Sequence, residues 1–492
     1  VHSDELWLKG IADEMARQKH FNITEPFFDL YPRVVHPFRW LYNIVLISAG
    51  ALMGSSIFTM RFVSLVFGTL SLFQFSKIMS RRSISPWLAF GGTLLLSLDI
   101  QFIYSSHMGR QETFILFLLL SGLLMALSEP NKGTPYIYSI LVLLGMGVHP
   151  NSFILGVAFS AILFYQFLSN TCTRRTLLTY FGTTCIGVAL YAVVGFLMNP
   201  QFVTGYMRYG SALGVDAPLL NRFEGFYWYL VKLYQQIGGT YDLMDIKLPL
   251  ILSAILMFFW ACRFISDFFT FKRHHEFSYY PFLTTLAILL SLLIIGRYNQ
   301  TAVVFLSPFI IWMAIESISW MQVRRLEIKI NVVVWVLLAL WGFNLYANLS
   351  AYDRQRYYTV SYEDMLSALN EWVPADSTVL SNLNTIVAFS ATQFYDVRNL
   401  GYLDGDQAAF ERYIETRGIT HIILHEEMDY IARNSERWGF LYVNMDYYES
   451  MQNFLKEKTQ LIGSFENPLY AMRISRYSGT YPWRTFVYKV ME

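Results

Sequence analysis

The sequence of 492 residues predicts a mostly α-helical integral membrane protein, in which a multi-span helical domain is followed by a small α/β domain. Hydrophobic residues make up 54% of the chain and charged residues only 15%, which is too apolar for a soluble enzyme of this size. Apolar runs long enough to cross a bilayer recur along the first 350 residues and then stop. The net charge of +1 gives no overall field that would attract nucleic acid, so no nucleic-acid partner is expected.

The chain opens with a polar stretch of 37 residues. It belongs to a segment, residues 1–56, which we expect to be an outer loop with juxtamembrane helices. Apolar residues from Trp7 to Met15 recur at helical spacing, which is typical of an amphipathic helix lying on a membrane surface. Asp4 and Glu5 begin this helix, so we expect both carboxylates at the mouth of the membrane domain. A carboxylate there can accept the proton of an attacking hydroxyl. The alternative interpretation is a solvated pair that caps the helix.

Apolar runs predict ten membrane spans, at 57–80, 85–105, 113–128, 134–149, 151–168, 176–197, 247–268, 279–296, 300–318 and 330–348. A further run, 38–54, is predicted to lie on the outer side without crossing, because only then do the basic residues between spans all face the cytoplasm. These are Arg81, Arg82, Lys132, Arg174, Arg175, Lys272, Arg273, Arg324 and Arg325. Since the chain starts at Val1 in a polar loop, an eleventh span is expected upstream.

This topology puts the N-terminal segment, the long outer loop 198–246 and everything after residue 349 on the extracytoplasmic side. The protein would be integral to the plasma or inner membrane of a prokaryote, or to the endoplasmic reticulum of a eukaryote. Its active site and its C-terminal domain would then both face outward.

Residues 351–492 are predicted to form the small extracytoplasmic α/β domain. Ser361 and Asp364 have the spacing of a capping box that opens a helix ending near Trp372. Further helices are predicted at 405–416 and 447–457, a β-rich segment at 419–424 and a strand at 460–465. Segment 378–383 and the Tyr/Arg-rich segments 469–475 and 486–490 complete the unit. We expect this domain to cover the outer face of the membrane domain and to shape the acceptor site.

Several other polar side chains are predicted to reach the outer face: His36, Asp99, Arg110, Glu112, His149, Arg297 and Tyr298. Arg297 stands at the end of a very apolar run, where a guanidinium suits a lipid phosphate. Asp99 lies inside a span, where a carboxylate is costly and functional by default. The alternatives are structural: ion pairs that anchor loops, histidines that pack locally, and an arginine that extends to the interface.

Six motifs occur in the order seen in polyprenyl-phosphate-dependent glycosyltransferases. They are Asp4-Glu5, Ile11-Ala12-Asp13-Glu14-Met15-Ala16-Arg17, His36-Pro37, Arg61-Phe62-Val63-Ser64, Gly109-Arg110-Gln111-Glu112 and Arg297-Tyr298. On these motifs the chain resembles the GT-C superfamily, in the branch that holds protein O-mannosyltransferases and the aminoarabinose transferase of lipid A. The resemblance covers most of residues 1–320, and it implies that residues 1–350 form a GT-C-type transmembrane catalytic domain.

The resemblance also implies roles for single residues. Asp4 would be the general base, with Glu5 beside it. His36, Arg297 and Tyr298 would bind the donor phosphate. Arg110 and Glu112 match a pair near the active-site face, and we add His149 and Asp99 to this supporting set.

The resemblance implies that the protein is a membrane glycosyltransferase. It would move a hexosyl or pentosyl group from a polyprenyl-phosphate donor to a hydroxyl of a protein, lipid or glycan acceptor, with inversion. No cofactor and no metal site are expected, since no cluster of residues has metal-ligand spacing. The alternatives are a transporter or flippase of lipid-linked sugar and an inactive scaffold of the same fold. Transporters place polar groups near the bilayer midplane, whereas here these groups gather at one face.

Overall fold

The first two thirds of the chain fold into a helical bundle. The computed structural model describes residues 3–33, 35–82, 85–128, 132–212, 218, 220–223, 247–269, 276–296, 300–323, 361–389, 393–466 and 483–491, with isolated positions between 339 and 350. Within these ranges the bundle contains α1 (Ser3–Gln18), α2 (Trp40–Met53), α3 (Ile57–Arg81), α4 (Pro86–Leu98), α5 (Ile100–His107), α6 (Glu112–Ala126), α7 (Thr134–Val148), α8 (Phe153–Leu168), α9 (Arg174–Met198), α10 (Phe202–Ala212), α11 (Lys247–Phe269), α12 (Tyr280–Ile295) and α13 (Ser307–Val323). Short 3-10 turns at Pro150–Ser152, Glu276–Tyr279 and Gln300–Phe305 precede α8, α12 and α13.

Helix α6 lies inside the bundle, and most of its side chains from Glu112 to Ala126 are buried. It is apolar all round, which is the pattern of a helix with neighbours on every side. It packs against α3 and α7, and α8 in turn packs against α12. The rings of Tyr138 and Phe159 stack at 4.8 Å within the same apolar core.

By length and composition, four helical segments among the described residues can cross a membrane: Ile57–Arg81, Pro150–Leu168, Arg174–Met198 and Phe277–Ile295. Helices α4 and α5, which meet at an angle of 59°, would together make a fifth. α6 and α7 are shorter, at about 22 Å each, so either one crosses a core of roughly 30 Å only together with its flanking residues. The number of spans stays a prediction, and the predicted span 330–348 falls almost wholly outside the described residues.

Helix α2 occupies the run that was predicted not to cross. Its 14 residues are followed by Gly54, whose φ of 83° ends the helix. A helix of about 21 Å is too short to cross the hydrocarbon core unaided. This length agrees with a shallow position, although the topology itself stays a prediction.

The predicted α/β domain follows the bundle, as expected. Its strands are β1 (Val379–Ser381), β2 (Phe394–Asp396), β3 (His421–His425), β4 (Thr459–Glu466) and β5 (Arg484–Val490), and its helices are α14 (Tyr362–Trp372), α15 (Gln407–Arg417), α16 (Glu427–Arg433), α17 (Ser435–Trp438) and α18 (Tyr448–Lys458). The described strands form one sheet in the order β2-β1-β3-β5-β4. β1 pairs in parallel with β2 and β3, and β5 runs antiparallel to β3 and β4.

The local predictions for this domain are confirmed in outline. The capping box of Ser361 and Asp364 is present at the start of α14. The predicted helices lie within a few residues of α15 and α18, and the two predicted strands lie within a few residues of β3 and β4. Segments 378–383 and 486–490, which were named without a strand assignment, overlap β1 and β5. Segment 469–475 lies outside the described residues. Strand β2 was missed, because three residues, Phe394 to Asp396, are too few to show an alternating pattern.

The N-terminal segment, residues 3–33, shares its core with the C-terminal domain. Leu6, Phe27 and Phe28 are buried in one apolar cluster with side chains of α14, β1 and β2. Leu30 packs against a second cluster of the same domain. The segment that the sequence assigns to the membrane domain is therefore also a structural part of the α/β domain.

The predicted topology can be tested by cysteine labelling. In a variant whose three native cysteines are serine, Ser80→Cys at the exposed end of α3 should react only with reagent supplied from the cytoplasmic side. Glu371→Cys in α14, also exposed, should react only from the outside. Labelling of both positions from one side would contradict the topology.

Candidate active site

The first turn of α1 carries two adjacent carboxylates that point to different partners. Acidic residues are favoured here because the helix N-terminus carries partial positive charge. Neighbouring residues on a helix point about 100° apart. Glu5 therefore meets α3, whereas Asp4 meets the turn between α5 and α6.

Glu5 is held by three hydrogen bonds. Arg61 on α3 donates to it from Nε at 2.8 Å and from Nη2 at 3.0 Å, and the backbone N–H of Gly109 donates at 2.8 Å. The residue is 1% exposed. Burial by itself would raise the pKa of Glu5, but the hydrogen bond and the charge of Arg61 outweigh it and lower the pKa to about 2. Glu5 is thus a poor proton acceptor, and its contacts favour a structural role over the predicted catalytic one.

Gly109 allows the close approach of Glu5 to its backbone. A Cβ at this position would lie 2.9 Å from Cβ of Met60 and 3.4 Å from Oε1 of Glu5. Only glycine fits there without displacing α3. This explains the glycine in the Gly109-Arg110-Gln111-Glu112 motif.

Asp4, Arg110 and Glu112 form one cluster. Asp4 accepts a hydrogen bond from Nη1 of Arg110, whose Nη2 lies 2.9 Å from Oε1 of Glu112. The side chains of Arg110 and Glu112 are 9% and 2% exposed, whereas that of Asp4 is 35% exposed. Burial lowers the pKa of Arg110, but the charges of Glu112 and Asp4 outweigh it and raise the pKa above its usual value. The ionised cluster has a net charge of −1, and Asp4 is its solvent-accessible member.

Helix α3 supplies two residues that the sequence interpretation quoted only as part of a motif. Ser64 donates to the backbone carbonyl of Arg110 at 2.8 Å and accepts from its backbone N–H at 3.1 Å. Arg61 also lies beside His107, with 3.4 Å between Nη1 and Nε2. The spacing of three residues between Arg61 and Ser64 places both on one helix face, which is the signal that could have identified them.

A second group of polar residues surrounds His36. Its ring packs edge-on against Tyr206 at 5.3 Å, and its Nδ1 is buried without a hydrogen-bond partner in the described part of the chain. The same holds for Nε of Arg39, a residue with a φ of 74° directly before α2. Burial and the charge of Arg39 lower the pKa of His36 to about 4, so the ring is neutral at pH 7. The Nε of Arg39 is a donor, and Nδ1 of the neutral His36 ring is a donor only in the tautomer that carries its proton there. Donors that the surrounding protein leaves unused can bind an anion.

Two predicted supporting residues cap helix ends. Asp99 accepts from the backbone N–H of Phe102 at 2.9 Å and from the Ser307 hydroxyl at 3.3 Å, at the break between α4 and α5. His149 ends α7, and its Nδ1 accepts from the backbone N–H of Asn151 at 3.0 Å. These contacts match the structural alternatives.

The predicted donor-phosphate residues Arg297 and Tyr298 lie outside the described residues.

The architecture has counterparts among solved structures. The structure of ArnT from Cupriavidus metallidurans in the apo state matches with a TM-score of 0.55 over 98% of this chain and 92% of that chain. The structure of the same protein bound to undecaprenyl phosphate matches with a TM-score of 0.53 over 100% and 94%. The chain has the GT-C fold. The predicted fold class is therefore confirmed.

The match lies in the fold and not in the sequence. Sequence identity to the two ArnT structures is 10% and 11%. No protein-family model matches the sequence, and a search of curated proteins found no match. The GT-C fold extends over both the helical bundle and the C-terminal domain, since nearly the whole chain is covered in each comparison.

The contacts of Glu5 predict a loss of stability when its charge is removed. Glu5→Gln keeps the side-chain shape but leaves Arg61 without its counterion, so the free energy of unfolding should fall by about 1.5–3 kcal/mol. The contribution of Glu5 is present above its ordinary pKa of 4.5 and is lost as pH falls towards 2. The thermal midpoint in detergent should fall in the variant at pH 7, and the gap from wild type should narrow as pH is lowered through that range. An unchanged midpoint at pH 7 would contradict the structural role.

Proposed function

We propose that this protein is a membrane glycosyltransferase that moves a sugar from a polyprenyl-phosphate donor to a hydroxyl acceptor at the extracytoplasmic face. The observation that carries the proposal is the Asp4-Arg110-Glu112 cluster, an accessible carboxylate on a buried ion pair, in a chain with the GT-C fold. The structure of ArnT bound to undecaprenyl phosphate supports a polyprenyl phosphate as the lipid of the donor. The protein would be embedded in the membrane, with this cluster on its outer side.

Asp4 is the proposed general base. The acceptor oxygen forms a bond to the anomeric carbon while the bond from that carbon to the phosphate oxygen breaks, and the hydroxyl proton moves to Asp4. An arginine next to a carboxylate weakens it as a base. Here Glu112 shares the charge of Arg110, and Asp4 is the member of the cluster that an acceptor hydroxyl can reach. Attack from the side opposite the phosphate inverts the anomeric centre.

The leaving group is a polyprenyl phosphate anion, and the group around His36 fits it. His36 and Arg39 each hold a buried nitrogen without a partner among the described residues. A phosphate oxygen can accept from Nε of Arg39, and from Nδ1 of His36 in the tautomer that is protonated there. Arg297 and Tyr298 are proposed to complete this site, as the resemblance implies. We propose that these groups neutralise the leaving group without a cofactor.

Removal of divalent metals by a chelator should accordingly leave transfer unchanged.

The base assignment predicts the effect of Asp4→Asn. The amide cannot take the hydroxyl proton, so turnover should fall at least about 10²-fold while binding of the lipid donor persists. Asp13→Asn is the matched control, because Asp13 is on the same helix and its carboxylate pairs with Lys9. Transfer is measured on purified protein by release of polyprenyl phosphate. Full activity in the Asp4→Asn variant would contradict the general-base assignment and favour a helix-capping role for Asp4.

The donor assignment predicts the effect of changes at Arg297. Arg297→Ala should weaken binding of the polyprenyl-phosphate sugar by about 1.5–3 kcal/mol, or roughly 10- to 100-fold. Arg297→Lys should recover only part of this affinity, because an ammonium lacks the planar fork that holds two phosphate oxygens. Arg174→Ala, on the predicted cytoplasmic side, is the control.

The same preparation separates an enzyme from a transporter. Detergent removes the two compartments that a transporter needs, so only a transferase will join the sugar to an acceptor there. Product formation that depends on acceptor, Asp4 and Arg297 is the expected result. Donor binding without turnover across protein, lipid and glycan acceptors would favour the transporter or the inactive scaffold.

A further inference from the structure

The carboxyl ends of the parallel strands in the C-terminal domain hold the N-terminal segment. In α/β sheets these strand ends are the usual place of a ligand. Here, Asn399 follows β2, and its Oδ1 accepts from three consecutive backbone N–H groups: Asp29 at 3.2 Å, Leu30 at 3.3 Å and Tyr31 at 3.2 Å. Its Nδ2 donates to the carbonyl of Phe27 at 3.1 Å. One side chain therefore fixes the backbone of residues 27–31.

Other contacts of the domain reinforce this attachment. The backbone N–H of Asp396 also donates to the carbonyl of Phe27, at 3.1 Å. The side chain of Asp29 accepts from the Tyr413 hydroxyl at 3.0 Å and pairs with Arg417 at 2.6 Å. These contacts come from β2 and α15, so two elements of the domain bind residues 27–31.

The fixed segment in turn holds α1 through Trp7. The indole of Trp7 packs edge-on against Phe28 at 5.2 Å. The guanidinium of Arg33 lies over the Trp7 ring at 4.0 Å, and that of Arg398 lies over it at 4.9 Å. Arg398 is itself fixed by Asp396, with 2.7 Å from Nε to Oδ1. Cation–π contacts are strongest when the cation is desolvated, and Arg398 is only 4% exposed, while Trp7 is partly buried.

Trp7 lies three residues from Asp4 on the same helix, so a shift of the indole is passed on to the first helical turn. A displacement of about 1 Å at a reacting group can cost on the order of 10²-fold in rate. None of the contacts described above joins Asn399 to Asp4 directly. The C-terminal domain therefore influences the position of Asp4 through intermediate residues.

We propose that Asn399 is a positioning residue for the transfer reaction: it fixes residues 27–31 against the C-terminal domain and, through Trp7, sets the position of Asp4. This inference rests on the proposed function and deepens it. It gives the C-terminal domain a role in catalysis beyond covering the outer face.

The test uses three variants of the full chain in detergent. Asn399→Ala removes all four hydrogen bonds. Asn399→Asp keeps the acceptor for the three N–H groups, which suit an anion, but loses the donor to the Phe27 carbonyl. Asn444→Ala is the matched control, because Asn444 bonds to the carbonyl of Gly401 within the same domain and not to the N-terminal segment. Thermal midpoints confirm that each variant is folded.

The first measurement is the rate of tryptic cleavage after Arg33, which reports opening of the segment and does not depend on activity. Asn399→Ala should be cut at least about tenfold faster than wild type, since several hydrogen bonds no longer oppose opening. Asn444→Ala should stay near the wild-type rate, and the rate for Asn399→Asp should lie between those of wild type and Asn399→Ala. A wild-type rate in Asn399→Ala would overturn the proposal.

The second measurement is transfer, with binding of undecaprenyl phosphate measured in parallel. Asn399→Ala should lower kcat by roughly 10- to 100-fold and change lipid affinity by less than about threefold, and Asn399→Asp should recover most of kcat. A kcat for Asn399→Ala equal to that of Asn444→Ala would overturn the positioning role. If wild-type protein shows no turnover, the proposed function fails, and the cleavage rates still decide whether Asn399 fixes the segment.

Discussion

The structure depends on the attachment of the first turn of α1 to both the membrane domain and the C-terminal domain. Glu5 is buried in the membrane domain against Arg61, and the next residue, Leu6, is fully buried in the core of the C-terminal domain. A buried carboxylate without a partner would cost several kcal/mol, and burial of a leucine contributes about 1.5–3 kcal/mol. Because both anchors directly follow Asp4 in the same helical turn, the backbone of the side chain proposed to react is fixed by contacts with both domains.

The two polar groups have opposite electrostatic character, and a transfer reaction needs this difference. The Asp4 cluster holds two carboxylates for one guanidinium, and its accessible carboxylate can accept a proton. The group around His36 offers nitrogen donors whose partners are not supplied by the described part of the chain. A reaction that releases a proton on one side of a sugar and a phosphate anion on the other is stabilised by such a division. Transport of an intact lipid-linked sugar creates neither charge.

Polar residues in an apolar chain also serve the backbone. Asp99 and His149 stand where helices break, and each satisfies a backbone N–H that would otherwise lack a partner inside the bundle. A carboxylate or an imidazole in a span is therefore a strong functional signal only when no helix end lies beside it. Glu5 illustrates the same point at the membrane surface, because its oxygens are occupied by Arg61 and Gly109.

The sequence by itself determined the class of the fold and the positions of most elements. Apolar runs and alternating patterns are local properties, so the helices of the bundle and the longer strands could be predicted from them, and motif order pointed to the GT-C fold. The sequence also singled out Asp4, Glu5, Arg110 and Glu112. Only the tertiary structure divided their roles, since pairing of Glu5 with Arg61 and of Asp4 with Arg110 joins residues more than 50 positions apart. The hydrogen bonds between Asn399 and residues 27–31 join residues about 370 positions apart. Such contacts form only when the chain has folded, so no local sequence pattern predicts them.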